Sequence, residues 1–332
     1  MSLKARAWAL LAIPTLIWGL SYPISRVALD HLSPWAYTGL RFLFGALSLL
    51  PLALRQRRRP APLAYTGKHS PRLWLWTGLL TGFLLSCGAV MQTYGLARLP
   101  SGQVGFLTAV YSSLVPVLAL VIGFVPRLLV LVGMLVSFIG LFFLAGGVAV
   151  FGPAGGLVMA ANFFWAAQIV TAGYFAAKVN TWLYILAQNL SAGLLVTGLA
   201  AIGGFLPTWE VFWQTLPFTM WGILSAGVAY VCQTQAQKSV SSTTVAVISP
   251  LQIVIAAAAG VVFLGEVMTG RMIWGASIII LGSLIAQLAR EAVPLTADHP
   301  YYRLINRLRL VLAAASVGVV ASLLVWSVTA YN

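Results

Sequence analysis

The chain has 332 residues, of which 61% are apolar and 7% charged, with nineteen Lys/Arg against five Asp/Glu and a formal charge of +14. Soluble domains carry about 25% charged and about 45–50% apolar residues, so a soluble fold and a disordered chain are both excluded. Two Cys and no three-residue Gly period exclude a disulfide scaffold and a collagen. The cationic residues sit in short clusters rather than in the stripe that nucleic acid needs.

Crossing about 30 Å of hydrocarbon takes roughly 20 apolar residues in a helix. That ruler places the first span at 7–28, where Trp18, Tyr22 and Ser25 share one face and Pro14 and Pro23 interrupt the backbone donors. Lys4 and Arg6 precede it as in a signal peptide, but a second span follows at once and no small-x-small cleavage site stands out; it reads as a retained helix. The second span, 34–54, holds Arg41, and the third, 73–95, holds Gln92. The fourth, 102–124, carries Gln103, Tyr111 and Pro116; the fifth, 127–147, carries Gly133 and Gly140. Asn162, Trp165 and Gln168 fall on one broad face of the sixth, 154–176, and Gln188 and Asn189 lie in the seventh, 181–204. The eighth, 214–236, presents Tyr230 and Gln233 in a stripe that runs on to Gln237; the ninth, 243–264, contains Thr244, Pro250 and Gln252. The tenth, 271–289, repeats a glycine pair at Gly275 and Gly282. An eleventh, 310–329, follows a polar stretch with Asp298, Arg303, Arg307 and Arg309.

With the N-terminus in the cytoplasm, fifteen Lys/Arg fall on the inner side and three, Arg26, Arg98 and Arg271, on the outer, while Arg41 lies within a span. The asymmetry fixes an N-in orientation by the positive-inside rule, with the C-terminus outside if the eleventh helix spans.

The chain repeats itself. Trp18 and Trp165 are 147 residues apart, as are Trp35 and Trp182, and Tyr37 and Tyr184. Further on the offset becomes 141, which pairs Gln92 with Gln233, Ser101 with Ser242 and Tyr111 with Gln252. The expected organisation is a five-helix repeat at 1–150, a second at 151–290, and a polar linker with an extra helix at 291–332. Consecutive five-helix repeats cross the membrane in opposite senses. The expected fold is therefore an all-α membrane protein: a ten-helix 5+5 inverted-repeat transporter bundle plus an extra C-terminal transmembrane helix, with substrate near the midplane.

Four stretches carry a family likeness: LIWGLSYPISRVAL with WAYTGLRFLFGALSLL; QTYGLARLPSGQVGFLTAVYSSLVPVLA; QAQKSVSSTTVAVISPLQIVIAAAAGVVFLGE; and GRMIWGASIIILGSLIAQ. In order, they resemble the helix junctions of the EamA-type drug/metabolite transporter superfamily, over about residues 1–289. The resemblance implies ten helices and, as in many bacterial members, export of amino acids or related metabolites. Two departures stand out: the second half reads Leu264-Gly265-Glu266 where the first reads Ile122-Gly123-Phe124, and the helix after residue 290 is additional.

Enzyme chemistry has no footing. His31, His69 and His299 are isolated, the five acids lie in loops or at span ends, and no phosphate-cradling loop is present. No metal and no cofactor is expected, and Cys87 and Cys232 read as small buried side chains. Amides and indoles are costly against lipid tails, so those within spans face a cavity or another helix. Trp18, Tyr22, Gln92, Tyr111, Asn162, Trp165, Gln168, Gln188, Gln233 and Gln252 are the candidate substrate-binding residues. Each amide has a plainer alternative, an interhelical hydrogen bond. Arg41 costs about 2.5–3.5 kcal/mol at a helix centre on insertion scales; it either snorkels, bonds helix-end carbonyls or meets a substrate anion. The glycine pairs read as close packing within the bundle or as the seam of a homodimer.

Without an acid in mid-membrane, proton-coupled export of lipophilic cations is disfavoured. The reading that remains is an alternating-access secondary transporter of a small amino-acid-like, neutral or zwitterionic metabolite, acting as an exporter in a bacterial inner membrane. Its partners are that substrate and the lipid bilayer, not nucleic acid. The competing reading is a non-transporting membrane scaffold or lipid-interacting protein.

Overall fold

Backbone groups in hydrocarbon must be bonded within their own segment, so long apolar runs fold as helices. The computed structural model describes residues 3–57, 72–125, 127–144, 152–287 and 293–294. Among these, eight helical segments are long and apolar enough to cross a membrane, and two shorter apolar helices accompany them. The predicted eleventh helix lies outside the described residues.

Five long spans are unbroken: α1 (Leu3–Ala28), α2 (Pro34–Arg57) and α3 (Leu73–Leu96) in the first half, and α7 (Pro153–Phe175) and α8 (Thr181–Ile202) after the midpoint. Asn180 caps α8 by accepting from the Trp182 and Leu183 amides, the role that short polar side chains play at helix starts. The short helices α6 (Leu128–Leu144) and α13 (Gly270–Gln287) pack side by side. Their contact explains the glycine pairs. A Cβ on Gly140 would lie 2.7 Å from the Gly275 carbonyl oxygen, and one on Gly282 would lie 2.5 Å from that of Gly133. The pairs therefore serve packing within the bundle, where small residues let backbones approach.

The remaining spans are interrupted. The fourth divides into α4 (Ser101–Thr108) and α5 (Tyr111–Val121), and the ninth into α11 (Ser242–Ile248) and α12 (Leu251–Leu264). Pro250 stands at the second break, where Gln252 and Ile253 bond back only three residues, to Ser249 and Pro250, at 3.0 Å. The first break lies at Ala109–Val110, ahead of Pro116, which sits inside α5. Its cause is tertiary: Asn162 of α7 supplies the bonds that the interrupted helix lacks. The eighth span comprises α9 (Trp209–Met220), a π-helical stretch Ile223–Val228 and α10 (Ala229–Ala236). It begins five residues earlier than predicted, on a Thr208 cap whose hydroxyl accepts from the Val211 amide.

Packing interleaves the two halves. α1 lies on α10 and α12, α2 on α8 and the π-helical stretch, and α3 on α7 and α8. The repeat mates Tyr37 and Tyr184 are both fully buried. Outward, Leu135 of α6, Val262 of α12 and Trp274 of α13 are exposed, an apolar periphery suited to lipid. At one end, β1 (Phe124–Val125) pairs antiparallel with β2 (Val293–Pro294).

Candidate functional site

Where the interrupted helices cross α1, a cavity of about 70 Å³ remains. A single buried water needs roughly 10–15 Å³ by a like measure, so the space admits several waters or a small solute. α1 contributes Trp18, Ser21, Tyr22 and Ser25, successive residues of one helical face. Opposite stand Gln92 of α3, with Thr108 and Tyr111 flanking the break in the fourth span. Trp165 and Gln168 come from α7, Gln252 from α12 beside the other break, and Arg41 and Phe42 from α2. Ser225 of the π-helical stretch and Tyr230 and Gln233 of α10 close the wall. Local π-helical winding is common at functional sites, because it displaces carbonyls and side chains from their regular positions.

The polar groups form a partly satisfied network. Gln92 donates through Nε2 to the Tyr22 hydroxyl at 3.2 Å and the Thr108 hydroxyl at 2.9 Å. Gln252 donates to the Tyr111 hydroxyl at 3.2 Å. The Trp18 indole donates to the Ser225 carbonyl at 2.9 Å and packs on the Tyr230 ring, centroids 5.1 Å apart. Its repeat mate Trp165 differs, since its buried Nε1 has no partner among the described residues. Gln168 Oε1, Ser225 Oγ, Gln233 Nε2, Gln252 Oε1 and Arg41 Nε are likewise buried and unpartnered. The lining therefore offers free donors and free acceptors together, in a volume where leaving them unmade is costly.

Eight of the ten predicted substrate residues, and Arg41, border this cavity. Asn162 and Gln188 do not. Asn162 is fully buried in the break of the fourth span, where Oδ1 accepts from the Tyr111 amide at 3.0 Å and Nδ2 donates to the Leu107 and Val158 carbonyls at 2.9 and 3.1 Å. Gln188 accepts at Oε1 from the Tyr184 hydroxyl at 2.9 Å and from Gln168 Nε2 at 3.2 Å. For both, the interhelical bond is the better description. Sequence reasoning in turn passed over Thr108, Ser225 and Phe42. Thr108 had a signal, lying three residues before Tyr111 on the same face; Ser225 had none, because the π-helical turn that places it leaves no mark in composition.

Arg41 stands over two rings of its own helix. Its guanidinium carbon lies 5.6 Å from the Tyr37 ring centroid and 5.2 Å from that of Phe42, within cation–π range. Among the described residues, no group of three or more His, Cys, Asp or Glu is arranged to hold a metal.

Glu266 lies outside the cavity. Its Oε1 accepts from the Ser101 amide at 2.9 Å and the Ser101 hydroxyl at 2.6 Å, and its Oε2 accepts from the Gly102 amide at 3.3 Å. A carboxylate at a helix N-terminus meets orphan amides and the positive end of the dipole. Gly265, at φ 64°, turns the chain so that the acid reaches α4. One half is thus latched to the other at this end; the equivalent position in the first half is Phe124, packed among apolar neighbours.

Comparison with known proteins is consistent in kind. A family model described as "EamA-like transporter family" matches residues 6–146 and 153–287. An "Uncharacterized transporter" of Archaeoglobus fulgidus is 27% identical over 282 residues, 84% of each chain. "Uncharacterized transporter YvbV" of Bacillus subtilis is 34% identical over 99 residues, 30% of each. A solved structure described as "Crystal structure of protein" superposes with a TM-score of 0.66 at 18% identity, covering 85% of this chain and 97% of that one, a likeness of fold.

Proposed function

The chain belongs to the EamA-like transporter family, and on that premise we propose that it is a secondary transporter that moves a small amino-acid-like metabolite outward by alternating access. The observation that carries the reading is the position of the cavity. It lies where both helix breaks, in the fourth and ninth spans, meet, and each break places a polar side chain in its wall, Tyr111 and Gln252. Discontinuous helices meeting near the midplane are the recurrent site architecture of inverted-repeat transporters. The free amide oxygens and N–H donors suit a zwitterion or a neutral polar solute, and the Trp18, Trp165 and Tyr230 rings suit its apolar part.

In this reading the halves 1–150 and 151–290 rock against each other, with the N-terminus cytoplasmic in a bacterial inner membrane. Among the described residues no carboxylate lines the cavity, and in this reading the cargo moves down its own gradient or by exchange. Counterflow in proteoliposomes, with a panel of labelled amino acids and related metabolites, tests it. Accumulation of label against preloaded unlabelled solute supports transport; no counterflow for any solute, with a stable protein partner recovered instead, favours a scaffold.

A further inference from the structure

We infer that the cargo carries a single carboxylate head group and that Arg41 is its counter-ion, an inference that rests on the cavity being the transport site. Arg41 lines the cavity with a buried, unpartnered Nε, and its guanidinium is steadied over the Tyr37 and Phe42 rings. Among the described residues no acid answers it. Asp30 pairs with Arg26 at 3.0 Å, Glu210 accepts from Gln214 at 3.4 Å, and Glu266 holds the N-terminus of α4. A guanidinium stays protonated in proteins, so the charge is permanent. The cavity wall therefore carries one uncompensated positive charge where screening is weak; it attracts an anion and repels a cation.

The size of that charge narrows the anion. The planar fork of a guanidinium matches a carboxylate. A phosphate ester carries about −1.5 to −2 at neutral pH and leaves charge unanswered, since Arg41 is the only cationic side chain in the described lining. Beyond the head group, Gln168 Oε1 and Gln252 Oε1 are acceptors without partners. They suit a hydroxyl or amine beside the carboxylate. The class is 2-amino or 2-hydroxy carboxylic acids, to the exclusion of their amides.

The test is proteoliposome counterflow with four probe types: alanine and alaninamide, phenylalanine and phenylalaninamide, lactate and lactamide, and phosphoserine. The expected result is exchange of each transported carboxylate at least about tenfold faster than its amide, with phosphoserine excluded. Arg41→Gln removes that preference, and Arg41→Lys, which keeps the charge, retains it at a lower rate. Equal exchange of acids and amides by the wild-type protein overturns the inference, as does an Arg41→Gln protein that still prefers acids. If amides move and acids do not, or if no probe moves while another solute of the wider panel does, the transport reading survives and this one falls; if no solute of the wider panel moves either, both fall.

Discussion

Gln252 donates a hydrogen bond to the hydroxyl of Tyr111, 3.2 Å away and 141 residues earlier in the chain, and the two occupy matching positions in the two halves. The contact joins α5 to α12 across the cavity, beside the breaks in the fourth and ninth spans. Tyr111→Phe removes the acceptor and leaves Gln252 Nε2 buried and unpaired. The expected loss is about 1–3 kcal/mol, read as a lower unfolding temperature with weakened substrate exchange.

Trp18 and Trp165 are mates in sequence but not in bonding. Trp18→Phe deletes the bond to the Ser225 carbonyl and is expected to cost about 1 kcal/mol of stability. Trp165→Phe deletes a donor that has no partner among the described residues, so its expected effect is on substrate affinity with the unfolding temperature unchanged. Thermal unfolding followed by a thiol-reactive dye reads the first, through exposure of the part-buried Cys87 and Cys232; concentration-dependent counterflow reads the second.

Asn162 carries the break in the fourth span, and Asn162→Ala is expected to behave as a stability mutant. It orphans the Leu107 carbonyl and the Tyr111 amide, at about 1–3 kcal/mol for each group left buried. The same dye assay measures the drop. An unchanged unfolding temperature shows that the break does not depend on Asn162.

Glu266→Gln keeps the shape of the latch at α4 but removes its charge. Carboxylates at helix N-termini contribute about 0.3–1 kcal/mol, rising to about 2 when partly buried. The variant is expected to unfold at a lower temperature and to expose a cysteine introduced at Leu99, just before α4, more readily to a membrane-impermeant maleimide. Labelling equal to that of the Leu99→Cys single variant contradicts a latch.

The spans were legible in sequence because runs of about twenty apolar residues admit little else than a membrane helix. The sequence offset of 141 also paired Tyr111 with Gln252, two side chains that are hydrogen-bonded to each other. The illegible parts depend on tertiary partners. The break in the fourth span falls at Ala109–Val110, where no Pro or Gly marks it, because Asn162, about fifty residues on, satisfies the interrupted backbone there. The π-helical turn at Ile223–Val228 follows no local propensity and sets Ser225 against Trp18. Gln188 read as a site residue because an amide in a span signals a buried partner without naming it; the partners are Tyr184 and Gln168.

The central claim is that solute passes through the cavity between Tyr111 and Gln252. Filling it tests that claim most directly: Gln252→Trp places an indole in a space of about 70 Å³. Counterflow of the best wild-type substrate is measured for both proteins, after the variant is shown to be monodisperse and to unfold cooperatively. The account predicts exchange by the wild type and at least about a hundredfold slower exchange by the filled variant, as expected when a few kcal/mol of overpacking must be met before a solute enters. Exchange at the wild-type rate through the filled variant contradicts it.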